Sequence, residues 1–389
     1  MSEWQTIRLG NIIKTNENTY SQKENWKYVN YLDTGNITKN KIEEIQQINT
    51  STDKLPSRAR RKVKYNSIIY STVRPNQLHF GIIKEQPDNF LVSTGFVVID
   101  VNNNAAVPDY VYYILTQEEN IEHLHAIAEQ SVSTYPSIKK TDIEKLVVLI
   151  PDIDTQKRIV SVLQTIDEKI ELNNKINNNL EEQAQAIFKS WFVDFIPFGG
   201  KPPKDWSTGT VGDVIILHDS KRVPLSATTR DKMEKLYPYY GATSLMDYVD
   251  NYIFDGIYLL LGEDGTVIDS FGFPILQYVH GQFWVNNHAH VITGKNDFSV
   301  EYLYLLFSIT NIKSIVTGAV QQKISQKNLK SVPTIIPNKP ALTAFDKLIQ
   351  PIFALTRNLR DENERLIQLR DTLLPKLMSG EIDVSKITI

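Results

Sequence analysis

Nothing constrains the fold of this chain more than its repetition. Trp4-Gln5-Thr6, followed by Leu9-Gly10-Asn11-Ile12-Ile13, recurs as Trp206-Ser207-Thr208 and Val211-Gly212-Asp213-Val214-Ile215, an offset of 202 residues. Further along, Ile138, Ile143 and Pro151 recur as Ile324, Leu329 and Pro337, now offset by 186, and that register continues unbroken: Ile159 with Phe345, Leu163 with Ile349, Ile166 with Ile352, Leu180 with Leu366, Ile187 with Leu373 and Trp191 with Leu377. Self-similarity over so long a period means that one structural unit is present twice. The second copy has a globular part 16 residues shorter than the first.

Each copy ends in a helical pattern. In the first, Ile159, Leu163, Ile166, Ile170, Asn173, Asn177, Leu180, Ala184, Ile187 and Trp191 step alternately by four and three, as a heptad seam does. In the second, Phe345, Ile349, Ile352, Thr356, Leu359, Asn363, Leu366, Arg370, Leu373 and Leu377 take the same steps. Asp154-Thr155 after Pro151 offers a start and Ser379-Gly380 a stop. About 40 residues at 1.5 Å each make a rod of roughly 60 Å. Two seams in one chain can bury each other as an antiparallel coiled coil, with Asn173, Asn177 and Asn363 weakening the pairing but fixing its register. The plainer alternative packs each helix on its own globular part and leaves the asparagines in water. Pro351 predicts a kink or a delayed start in the second helix, where the first has Thr165.

The expected fold class is α+β: two mixed α/β globular domains separated by two long antiparallel helices, with an internal pseudo-twofold repeat. The boundaries read as 1–151 (first globular domain), 152–195 (central helix), 196–337 (linker and second globular domain), 338–380 (distal helix) and 381–389 (tail). Strands are predicted at Ser67-Ile68-Ile69-Tyr70, Phe96-Val97-Val98-Ile99 and Leu146-Val147-Val148-Leu149-Ile150, and short buried helices from Tyr110 and Tyr302. Pro197-Phe198-Gly199-Gly200-Lys201-Pro202-Pro203, rich in breakers, is the linker. Apolar residues at 41% and charged residues at 22% describe an ordinary globular chain. The absence of cysteine excludes disulfides, thiolate metal sites and a cysteine nucleophile. Met1-Ser2-Glu3-Trp4-Gln5 lacks an export signal, and Ile257-Tyr258-Leu259-Leu260-Leu261 is far too short to span a bilayer, so the expected compartment is the cytoplasm with no membrane partner.

Catalytic signatures are missing. There is no dinucleotide fingerprint, phosphate loop or His-Glu-x-x-His. Gly262-Glu263-Asp264-Gly265 brackets two acids in a turn without partner carboxylates at a recognisable spacing, and Pro151-Asp152 reads as a helix start rather than half of a nuclease motif. His288 and His290 alternate on a strand but lack a nearby third ligand in sequence, so no metal centre is expected; His123 and His125 lie on a polar helical face. What remains suits DNA. Lys54, Arg58, Arg60, Arg61, Lys62 and Lys64 crowd eleven residues, where cations can neutralise phosphates and guanidinium forks can read guanine. Such a run is also what a solvated face looks like. Arg74, Asn76 and Gln77 follow a strand and offer amides of the kind that pair with adenine. Ser133, Thr134, Tyr135, Lys139 and Lys140 form a polar, aromatic and basic stretch whose repeat counterpart carries Gln321, Gln322 and Lys323. The second copy adds Lys221, Arg222, Asn287 and His288. A net charge of −3 confines any DNA surface to local patches.

Several stretches carry a family resemblance. Leu369-Arg370-Asp371-Thr372-Leu373-Leu374-Pro375-Lys376-Leu377-Met378-Ser379-Gly380-Glu381 is very similar to the end of the distal helical region of the specificity subunits of type I restriction–modification enzymes. Ala184-Gln185-Ala186-Ile187-Phe188-Lys189-Ser190-Trp191-Phe192-Val193-Asp194-Phe195 resembles the end of their central one. Leu261-Gly262-Glu263-Asp264-Gly265-Thr266 and Gly281-Gln282-Phe283-Trp284-Val285-Asn286-Asn287-His288-Ala289-His290-Val291 resemble stretches that recur in their target-recognition domains; the first copy has no close match to either. The resemblance implies that each domain reads half of a split double-stranded DNA sequence and that the helices set the separation. It implies two methyltransferase subunits clasping the rods and restriction subunits joining for cleavage. S-adenosylmethionine, ATP and Mg would belong to those partners, with no cofactor or catalysis in this chain. The competing expectations are a stand-alone metal-dependent nuclease using Glu263 and Asp264, and a coiled-coil scaffold without a DNA role.

Overall fold

The computed structural model describes residues 4–131, 135–318 and 321–387. The chain falls into two compact units, Met1–Ile170 with Glu364–Ile389, and Glu171–Asn363. In the first unit, strand Gln5–Arg8 pairs antiparallel with Val147–Ile150, and the chain then turns through Leu9–Asn11 into a four-stranded sheet. That sheet runs Ile13–Thr15, Phe96–Val101, Ile68–Ser71, Phe80–Ile82 in spatial order. Its β-branched and aromatic residues are buried because helices Pro108–Leu115 and Glu118–Glu129 cover it: Ile68, Val97, Ile99, Tyr110 and Leu124 share one core. A second sheet, ordered Gln46–Asn49, Tyr28–Leu32, Phe90–Ser93, Ala59–Lys62, carries its own apolar cluster.

The second unit repeats the first plan. Ser207–Thr210 pairs with Pro333–Ile336, and a six-stranded sheet runs Ile215–Leu217, Ala289–Gly294, Phe254–Gly262, Leu276–Val285, Tyr237–Tyr240, Leu245–Val249. The ladders match residue for residue: Thr15 opposes Ile99 and Ile68 opposes Ile99, just as Leu217 opposes Ile292 and Leu259 opposes Ile292. The copies then part, the first closing on two four-stranded sheets and the second on one sheet of six.

The long helices are Ile153–Phe192 and Lys339–Met378, each of 40 residues. Asp152 caps the first, its carboxylate accepting from the Thr155 N–H at 2.9 Å, and that backbone bond holds it below the usual carboxylate range. Asn338 caps the second through the Ala341 N–H at 2.9 Å. Gly380, at φ +78°, ends it, and a side chain there would strike the Trp4 ring. In the first unit Ile159, Val160 and Leu163 share a core with Leu377 and Met378, while Arg370 pairs with Asp167 at 3.0 Å. In the second, Ala184 and Phe188 lie with Phe345 and Ile349, and Asn173 donates to Asn363 at 2.9 Å. Rising numbers on one helix meet falling numbers on the other within each unit, so the pairing is antiparallel. Asn363 donates in turn to Asn174 at 2.9 Å, which places Asn173 and Asn363 in the pairing rather than in water.

Two expectations need correcting. Of the two effects expected of Pro351, the delayed start does not occur: the helix begins at Lys339 and runs on through the proline. The proline is exposed, and its missing N–H falls on the outer face, away from the buried stripe. The seam also drifts. Phe188, Phe192 and Phe353 are buried, whereas Ile187, Trp191 and Ile352 are only partly covered. Phe188, Phe192 and Phe345 make edge-on and tilted ring contacts at 4.8–5.7 Å, so large aromatics rather than the strict heptad decide which face turns inward. No helix among the described residues is long and apolar enough to cross a membrane.

Candidate nucleic-acid interface

One joint is built identically in both copies. In the first, the Ile138 N–H donates to Thr72 O at 2.8 Å, Val73 bridges Ser137, and the Arg74 N–H donates to Pro136 O at 3.0 Å. In the second, the Ile324 N–H donates to Glu263 O at 2.8 Å, and Asp264 and Gly265 pair with Lys323 and Gln322. Thr72-Val73-Arg74 therefore occupies the place of Glu263-Asp264-Gly265, a correspondence that side-chain identity hides. Arg74 and Gly265 both take left-handed backbone conformations, φ +47° and +91°. Glycine adopts this freely, whereas an arginine does so at a cost of roughly 1–2 kcal/mol.

Around the first joint, the Arg74 guanidinium sits 5.3 Å from the centre of the Tyr135 ring, and Asn76 and Gln77 are exposed on the turn Pro75–Gln77. The sequence segments around Arg74 and Tyr135 are thus brought together. Ser133 and Thr134 lie outside the described residues. Lys139 and Lys140 are exposed, with Lys140 at 3.9 Å from Glu144. The basic run lies elsewhere, at one edge of the second sheet. Arg60, Arg61 and Lys62 are on strand Ala59–Lys62, and Arg58 is exposed just before it. Not all of these are free cations. Lys62 pairs with Glu24 and lies 5.1 Å from the Trp26 ring centre, and Lys64 is 3.4 Å from Asp100. Burial pushes the Arg61 guanidinium below its ordinary value, and its Nε has no hydrogen-bond partner among the described residues.

Around the second joint the charges are knitted into a network. Arg222 donates to Glu263 at 2.7 Å and to Ala289 O at 2.6 Å, and its guanidinium lies 3.6 Å from Asp219. Only 11% of its side chain is exposed, and its guanidinium is taken up by these internal partners. Lys221, beside it, is exposed. Lys323 lies 3.7 Å from Glu263 with its side chain about half exposed, and Gln321 and Asn287 are exposed near it in sequence and in the turn. His288 pairs with Asp264. His290 is fully buried, 2.6 Å from Asp219 and 2.8 Å from Ile324 O. The two histidines thus serve different partners instead of sharing a ligand.

The absence of a third ligand near His290 in sequence is overturned in space: one atom each from Asp219, Glu263 and His290 lie within 4.8 Å of one another. Arg222 is the cation that meets both carboxylates there. Glu263 and Asp264, each tied to a basic partner, are not poised as the paired metal ligands that a nuclease needs. Asp219 itself is held below the usual carboxylate range: burial pushes it up, but the His290 contact, the Val291 N–H and Arg222 outweigh that. Sequence reasoning missed Asp219, although it stands two residues before the basic pair. It also missed Gln326, which donates to Asp219 at 2.6 Å, and the cluster in which Arg230 and Lys235 each reach Asp247 at 2.9 Å.

Comparison with known proteins agrees with this geometry. The model of the type I restriction modification DNA specificity domain matches residues 1–182 and again 203–365. The type I restriction enzyme HindI specificity subunit of Haemophilus influenzae is 26% identical, covering 98% of this chain and all of that one. The MjaIX specificity subunit of Methanocaldococcus jannaschii is 25% identical over 74% of this chain and 72% of its own. Among solved structures, a type I restriction–modification S subunit from M. genitalium, at 14% identity, shares the fold with a TM-score of 0.57 over 97% of this chain and 96% of that one.

Proposed function

The chain belongs to the type I restriction–modification DNA specificity family, and from that membership we propose how it does its work. It is a DNA specificity subunit, with two specificity domains in one chain. Each domain reads one half of a bipartite double-stranded site, and the long helices fix the separation of the halves and dock two methyltransferase subunits. Restriction subunits join the complex for cleavage. The chain itself contributes recognition and no bond-making step; S-adenosylmethionine, ATP and Mg act in the partners, and the complex works in the cytoplasm.

The observation that carries this reading is the duplicated joint, which sets a loop bearing Arg74, Asn76 and Gln77 in one copy and Gln321, Gln322 and Lys323 in the other. Amide and guanidinium donors of this kind match base edges, and phosphate contacts would come from exposed cations such as Arg58 and Lys221. The overall charge of −3 fits a reader whose partners complete the positive surface.

The test is to express the chain with its cognate methyltransferase subunit and sequence the methylome of the host. A bipartite motif is expected, and an assembled complex that produces no motif refutes the reading. A heptad inserted in each long helix adds about 10.5 Å, so the gap should lengthen by about three base pairs at roughly 3.4 Å each. An unchanged gap would refute the spacing role.

A further inference from the structure

We infer that His290 is a positioning residue, a buried imidazolium that sets the reading loop of the second domain and has no equivalent in the first. The inference rests on the DNA reading above. His290 has no exposed surface, and each ring nitrogen faces an oxygen. Nε2 lies 2.8 Å from the carbonyl of Ile324, and a carbonyl only accepts. Nδ1 lies 2.6 Å from Oδ2 of Asp219, a carboxylate that also accepts from the Val291 N–H at 2.9 Å and from Gln326 at 2.6 Å. With acceptors on both sides, the ring donates twice and carries both protons. The charges facing it balance this: Asp219 and Glu263 (3.6 Å from Nδ1) are opposed by Arg222, with Lys323 at the outer edge.

Ile324 closes the loop that carries Gln321, Gln322 and Lys323. Its N–H is held by Glu263 O and its carbonyl by His290, so the loop is fixed through both peptide groups that flank Ile324. A reading loop gains discrimination from such fixation, because a donor displaced by an ångström loses its base-edge geometry. The first copy has no charged side chains in the matching places. Since Thr15 opposes Ile99 as Leu217 opposes Ile292, Val97 stands where His290 does. Asn16, whose Oδ1 accepts from the Val98 N–H at 2.9 Å, takes the part of Asp219. The chain therefore contains its own control.

The experiment uses the full chain assembled with its methyltransferase subunit. Methylation rates are measured on duplexes carrying single mismatches in either half of the site found by methylome sequencing. For His290→Gln, whose donors sit on a single nitrogen and cannot serve both acceptors on opposite sides of the ring, discrimination in the second half should fall about tenfold while the first half is unchanged. The second variant, Asp219→Asn, removes the charge that demands the second ring proton. Long-range proton–nitrogen spectra of the ¹⁵N-histidine-labelled wild-type chain should show one imidazolium with two solvent-protected ring protons, and Asp219→Asn should convert it to a single-proton ring. Equal loss in both halves, unchanged discrimination in the second, or a neutral buried ring in the wild type would each overturn the inference. A wild-type complex with no bipartite motif would instead refute the underlying reading of function.

Discussion

Replacing Arg357 by methionine tests how the second domain is anchored to the distal helix. Glu301, on helix Val300–Ser308, is 2% exposed. Its Oε1 accepts from the Tyr278 hydroxyl at 2.6 Å and from Arg357 at 3.1 Å, and its Oε2 from Gln350 at 2.9 Å. Arg357 also donates to the Tyr278 oxygen, so a sheet strand, a short helix and the long helix meet at one carboxylate. Burial, and then the Glu301 charge, pushes the Tyr278 hydroxyl well above its ordinary value, which keeps it a donor. Removing the guanidinium leaves a buried anion with only neutral donors. Breaking such a pair costs about 3–5 kcal/mol, and the two remaining donors set the expectation at about 3 kcal/mol. For a unit of this size each kcal/mol moves the transition by about 2–4 °C, so Arg357→Met should lower the second unit's Tm by about 6–12 °C.

Calorimetry of the intact chain is the assay, with the first unit's transition as internal reference, because two units need not melt as one. The double variant Glu301→Gln/Arg357→Met removes the stranded charge while keeping an amide for Tyr278, and should recover most of the loss. A single variant that shifts the transition by less than about 2 °C, or a double variant as unstable as the single, would refute the claim that an unpaired buried charge is the cause.

Glycine at the first turn of each copy is required by close approach. A Cβ on Gly10 would stand 2.9 Å from the Glu144 carbonyl oxygen, and one on Gly212 would stand 3.1 Å from Lys330 Cβ. Gly10→Ala should cost about 1–3 kcal/mol and Gly212→Ala less, since its tightest approaches, 3.1 Å to Lys330 Cβ and 3.2 Å to the Lys330 carbonyl oxygen, are longer; equal costs in denaturant unfolding would refute this. Asp247 is lowered to about 2, first by its bond from Lys235, with the Tyr248 N–H and Arg230 adding to it. A carboxylate depressed in the folded state stabilises above its unfolded value of about 3.9 and loses that contribution as pH falls toward 2. The stability gap between wild type and Asp247→Asn should accordingly narrow as pH falls from about 5 to 2, and a gap constant across that window would count against the ion cluster.

The repeat and the heptad steps made both long helices and their pairing legible, because periodicity survives in sequence whatever the partner. The strands at 68–71, 96–101 and 147–150 were legible for the same reason: short β-branched runs between breakers. The site was less so. Arg222 looks like a surface cation in sequence, and only the fold supplies Glu263, Asp219 and the Ala289 carbonyl to absorb it. Asp219 and His290 are 71 residues apart, and no local spacing announces a pair made by strand register. Likewise Thr72-Val73-Arg74 shares no residue type with Glu263-Asp264-Gly265, because what the two copies have in common there is backbone pairing and a left-handed turn.

That division between common backbone and differing side chains follows from what each part must fit. Leu9 and Val211 each donate their N–H, at 2.8 Å, to the carbonyl of the residue joining the short helix to the last strand, Leu146 in one copy and Val332 in the other. These elements share a core with the long helices, 40 residues in each copy, so substitution there is limited to residues of similar volume. Past the joint the differences are of kind: two sheets against one, Asn16 and Val97 against Asp219 and His290, Arg74 against Gly265. Arg74 is the informative case. Holding a non-glycine residue left-handed costs roughly 1–2 kcal/mol that glycine, present in the sister copy, would avoid. The glycine would also delete the guanidinium that faces Tyr135. A strained residue retained where an unstrained one fits the same backbone is best explained by its side chain, which makes the turn at Arg74 the first place to look for a base contact in the first half-site.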